Sequence, residues 1–136
     1  MNIAVLVLLV VQSALGLLAL LRWRRALRSG ARFPTALVAT HIAVVDVATG
    51  LWVVRLVSDR AGWGWAALVV LLVGNGLGDL VLAGRWRLDQ AVAGQWLKGW
   101  VSAAKGLLEP RRRVGALHAT FAGITTVAVL VGCLVG

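Results

Sequence analysis

The chain has little of what a soluble enzyme depends on. Of its 136 residues 14% are charged and only 5 are acidic, whereas an ordinary soluble domain carries about a quarter charged residues. Cys133 is the one cysteine, so neither a disulfide framework nor a cysteine-based metal site can be built within one chain. There are two prolines and no Ser- or Pro-rich linker. No Ser/His/Asp, H-E-x-x-H, paired-cysteine or phosphate-loop signature occurs, which disfavours hydrolase and nucleotide chemistry and leaves nothing that marks the chain as an enzyme by itself. No internal repeat stands out.

What is present is apolar sequence, 60% of the residues, with a mean hydropathy of +0.90. Four apolar runs, about 3–21, 35–57, 65–84 and 114–135, each approach the ~20 residues a helix needs to cross a ~30 Å hydrocarbon core. The expected fold is therefore all-α: a single membrane domain over 1–136, an up-down-up-down four-helix bundle. The first run has no basic residue before its apolar core and five arginines just after it, the reverse of a secretory signal, so it counts as an uncleaved span.

Basic residues fix the expected orientation. Arg22, Arg24, Arg25, Arg28 and Arg32 follow span 1, and a second basic set runs from Arg85 to Arg113, while the short middle joint has only Arg55 and Arg60. The positive-inside bias places both long connections in the cytoplasm and both termini outside a bacterial-type cytoplasmic membrane. Trp52, Trp63 and Trp65 would then mark one interface, and Trp23, Trp86, Trp96 and Trp100 the other. A formal charge of +9 suggests nucleic acid at first sight, but charges that flank spans on one side set topology and attract anionic lipid head groups instead. Pro34 suits the first turn of span 2, and the SDRAGWG joint makes spans 2 and 3 antiparallel neighbours. Between spans 3 and 4, Leu88, Val92, Trp96, Trp100, Ala103, Ala104 and Leu107 recur at helical spacing, which predicts an interfacial amphipathic helix over about 88–108. Its apolar face would lie on lipid or dock a partner subunit.

The informative residues are the polar ones inside the runs, because each is costly in lipid unless something receives it. Counted from the basic ends, His41, Asp79 and His118 fall within one helical turn of the same depth. Gln12, Asp46 and Asn75, with Thr125 and Thr126 nearby, form a second expected tier near the midplane, with Asp46 partnering Asn75 or Gln12. His41 and Asp46 lie about 140° apart on their helix and address different neighbours. Gly74 and Gly78 make a G-x-x-x-G that favours close helix packing.

Short joints make consecutive spans edge neighbours, so spans 2 and 4 become diagonal partners across the core. Two imidazoles at one depth on diagonal helices leave space for a planar macrocycle whose iron takes one from each side. The patterns FPTALVATHIAVVDVATGLWVV and VGALHATFAGITTVAVLVG resemble the second and fourth spans of short four-span actinobacterial membrane proteins of unsettled function, and the arrangement is similar to compact b-type cytochromes. The resemblance implies one bis-histidine haem b, with His41 and His118 as the metal ligands. Arg85, Arg87 and Arg111 to Arg113 would lie where its propionates emerge, and Asp79 would accept from a ligand histidine's second nitrogen. Two other functions stay open: a proton or cation path through the buried His and Asp residues, and an accessory or assembly subunit in a homo-oligomer or larger membrane complex.

Overall fold

A computed structural model describes residues 2–26, 33–90, 105 and 113–135, and of 86–90 the backbone only. Four helices form: α1 (Asn2–Ala26), α2 (Thr35–Ser58), α3 (Ala61–Gln90) and α4 (Arg113–Val135). Each is long and apolar enough to cross a membrane. Apolar side chains such as Val7, Val10, Val69, Val127 and Leu134 stand on the outside of the bundle, a surface suited to lipid rather than water.

The helix ends explain where the boundaries differ from those expected. Pro34 immediately precedes the first turn of α2, and its carbonyl accepts from the Val38 N–H at 3.1 Å. At the other end Asp59 takes a left-handed conformation (φ 51°) and donates its N–H to the Arg55 carbonyl at 3.1 Å. Aspartate tolerates that conformation better than most residues. The Arg55 guanidinium donates to the Asp59 carboxylate at 2.7 Å, and α3 starts two residues later. Only Asp59 and Arg60 therefore join α2 to α3, a tighter hairpin than the joint suggested. α3 also runs on through Gln90, so Leu88 to Gln90 continue this helix instead of opening an interfacial one. The remainder of the expected amphipathic segment, apart from Lys105, lies outside the described residues.

α2 packs most extensively on α3, and α1 on α4; the α3–α4 and α1–α2 contacts are smaller. The order around the bundle is thus α1, α2, α3, α4, with α2 and α4 on one diagonal. Up-down-up-down connectivity follows from contacts at both ends. Trp23 of α1 lies against Phe33, just before α2, and under Arg85 of α3. At the far end Trp52 of α2 meets Gly132 of α4 and donates its indole N–H to the Asn2 carbonyl at 3.0 Å.

That far end holds the continuous core: Val5, Leu9, Ala48, Trp52, Ala67, Leu68, Leu71, Val129 and Cys133. Trp52 is fully buried at its centre. Trp63 and Trp65, at the same end, are exposed, whereas Trp52 is turned inward and is the pin on which the four helices close. A Cβ on Gly132 would lie 2.7 Å from the Trp52 ring, whereas one on Gly50 would meet nothing within 4 Å. Gly132→Ala should therefore destabilise the bundle by about 1–3 kcal/mol. Gly50→Ala should stabilise it by roughly 0.5–1 kcal/mol through helix propensity alone. Reversible unfolding in mixed detergent micelles measures both signs.

Candidate cofactor site between α2 and α4

The two histidines expected to face one another do so. His41 of α2 and His118 of α4 have ring centres 6.3 Å apart, with the ring planes at 82°. Each ring is anchored by a main-chain carbonyl on the helix its own helix packs against most closely. His41 Nδ1 lies 2.9 Å from the Gly74 carbonyl oxygen on α3, and His118 Nδ1 lies 3.1 Å from the Gln12 carbonyl oxygen on α1. A carbonyl oxygen only accepts, so Nδ1 carries the hydrogen in both rings. In a neutral imidazole that leaves Nε2 with an uncommitted lone pair.

The same two steps of sequence build both anchors. Four residues beyond each acceptor carbonyl stands a glycine, Gly16 after Gln12 and Gly78 after Gly74, one helical turn on and on the same face. A Cβ on Gly16 would lie 2.9 Å from His118 Cε1, and one on Gly78 would lie 3.1 Å from His41 Cε1. Both glycines are thus the space in which an imidazole lies. Eight residues on from each histidine a threonine, Thr49 or Thr126, donates to the carbonyl one turn back, Val45 at 3.0 Å and Ala122 at 2.8 Å.

The two half-sites thus match step for step: Gln12 and Gly16 of α1 serve His118 as Gly74 and Gly78 of α3 serve His41. The two acceptor carbonyls and the two glycine cradles carry no side-chain signal that the sequence analysis could use.

The distance between the ring centres can be compared with that of two imidazoles sharing one metal. With metal–imidazole bonds of about 2.0–2.1 Å and ring centres about 1.1 Å beyond each nitrogen, one ion shared by two opposed rings sets their centres roughly 6 Å apart. Among the described residues no group of three or more His, Cys, Asp or Glu gathers to complete a coordination sphere. Two donors suffice when a macrocycle brings the remaining four.

The other expected site residues fall differently. Asp79 is exposed on the outer face of α3, and the ring hydrogens it was expected to accept go to main-chain carbonyls. Asp46 is exposed on the outer face of α2, away from the core tier assigned to it. Asn75 instead donates to Thr126 Oγ1 at 2.8 Å. Gln12 is buried as expected, but it engages His118 through its backbone. Its side-chain Oε1 and Thr125 Oγ1 are buried without partners among the described residues. The guanidinium carbon of Arg85 lies 5.6 Å from the centre of the Trp23 ring. The Arg87 side chain and Arg111 lie outside the described residues.

Compared with known proteins, the chain matches no family model, no curated protein and no solved structure. Its chemistry has to be argued from this pair of half-sites. Nitrogen-15 NMR of ring-labelled apoprotein should report protonated Nδ1 and unprotonated Nε2 on both histidines, and the opposite tautomer on either would contradict the anchoring. Gly16→Ala should shift the His118 signals and spare those of His41, with Gly78→Ala doing the reverse.

Proposed function

We propose that the protein is a multi-pass membrane carrier of electrons that holds one b-type haem between α2 and α4. The His41 and His118 Nε2 atoms would be its two axial ligands. The observation that carries this is the imidazole pair, set at a separation suited to one shared metal, with each Nδ1–H already committed to a carbonyl. Such outer hydrogen bonds orient metal-bound imidazoles and raise their basicity. Bound haem would supply a one-electron iron couple, with a potential tuned by its axial ligands and surroundings. The chain's own part is to fix the two rings and to hold the far end together with the Trp52 core. The four apolar helices support membrane insertion, and the arginines of the two long connections support a cytoplasmic basic end.

Asp46 and Asp79 favour a second role alongside the first. Both carboxylates stand on the outside of the α2–α3 pair within the apolar stretch, where lipid alone would leave them uncompensated. A subunit of a larger membrane complex would have that face covered. The proton or cation path draws less support, because neither carboxylate joins the histidines in the core.

Protein purified from haem-replete cells should show a reducible Soret band with one haem per chain. His41→Ala and His118→Ala should each abolish the bis-imidazole spectrum, while Asp79→Asn and Asp46→Asn should leave it in place. Colourless wild-type protein from such cells would sink the haem assignment.

A further inference from the structure

Thr125 departs from a pattern that other hydroxyl residues of the bundle follow. Thr49, Ser58 and Thr126 each return a hydroxyl to the carbonyl one turn back, at 3.0, 2.7 and 2.8 Å, the ordinary way for a helix to satisfy such a group within itself. Thr125 is 0% exposed, and its Oγ1 has no partner among the described residues. On α1 the same holds for Gln12, 1% exposed, whose side-chain Oε1 is buried without a donor.

The two residues occupy facing positions. α1 and α4 run antiparallel, with Gln12 and Gly16 against His118 toward the basic end and Val5 against Gly132 toward the other, where a Cβ on the glycine would lie 3.7 Å from Val5 Cγ2. Gln12 is seven residues after Val5 and Thr125 seven before Gly132, two turns along each helix, which returns both to the face that makes this contact. Leu9 and Val129, each 1% exposed, close the layer on the Trp52 side, and the anchor of His118 on the Gln12 carbonyl bounds the other. Two polar groups thus stand opposite each other in an apolar seam, and neither bonds the other.

What they can receive follows from their valences. An amide oxygen only accepts, so the ligand has to bring a hydrogen, whereas a hydroxyl can give one in return. Anions fail the first condition, and a hard cation calls for about six oxygens where these two are offered among the described residues. Water meets both conditions, and internal waters are held by such otherwise unsatisfied buried groups. We infer that Gln12 and Thr125 bind one internal water between α1 and α4, which donates to Gln12 Oε1 and accepts from the Thr125 hydroxyl. Gln12 then serves His118 with its main chain and the water with its side chain. The acceptor residue of the other half-site, Gly74, has no side chain, so the water belongs to the His118 half-site alone. The assignment is independent of haem.

Proton NMR of isotope-labelled apoprotein in phosphatidylcholine nanodiscs reads this site through nuclear Overhauser transfer from the water signal. Wild type should show transfer to the Thr125 methyl and to the Gln12 side-chain amide protons, with the sign of a water that tumbles with the protein. Gln12→Leu should abolish transfer to the Thr125 methyl, and Thr125→Val should abolish transfer to the Gln12 amide, while Thr125→Ser, which keeps the hydroxyl, should retain it. Absence of transfer in the wild type, or a direct bond from the Gln12 amide to Thr125 in its place, would overturn the inference. Transfer to the Thr125 methyl that survives Gln12→Leu would overturn it too, because the hydroxyl would then be exchanging with water that Gln12 does not hold. If a variant fails to fold, the wild-type spectrum decides by itself.

Discussion

The structure turns on a hydrogen bond from an imidazole to the main chain of a neighbouring helix, made twice. A helix carbonyl is normally committed to the N–H one turn on, yet its second lone pair can still accept. Reaching it requires the ring to lie almost on the neighbouring backbone, which only a residue without a Cβ permits. Gly16 and Gly78 therefore determine the spacing of α1–α4 and α2–α3 at that tier. With the spacing set, the depth of each ring, its tautomer and the direction of its remaining nitrogen follow together. In an apolar interior this also removes the cost of a buried N–H without a partner, so that only one lone pair per ring stays open to a ligand.

Beyond that tier the bundle has two dissimilar halves. Trp52 fills the far end so completely that Gly132 has to do without a side chain, while at the basic end buried Trp23 packs against Phe33 and Arg85. The far-end core gathers residues of all four helices and holds them together independently of the histidine tier.

Much of the fold was legible because it rests on bulk properties. Length and apolarity set the four helices, and short joints set the diagonal placement of His41 and His118. What escaped depended on main-chain groups or on faces. No side-chain pattern names the Gly74 or Gln12 carbonyl as an acceptor, so a carboxylate, Asp79, was the natural partner to expect. Asp46 was placed in the core by depth, although helical rotation carries it outward. The likeness of the two half-sites was hidden because their acceptor positions are a glutamine and a glycine, residue types that share nothing but a backbone. Acidic groups mark the outside of α2 and α3 only, at Asp46 and Asp79.

The placement of the two cradles has a bearing on how the protein is made. His41 rests on α3, the helix joined to its own by Asp59 and Arg60 alone, so that half-site needs nothing beyond the second and third helices. His118 rests on α1, so the other half-site closes only when the last helix to be synthesised meets the first. The two rings are therefore seated in succession, and a ligand held by both has to wait for the end of the chain.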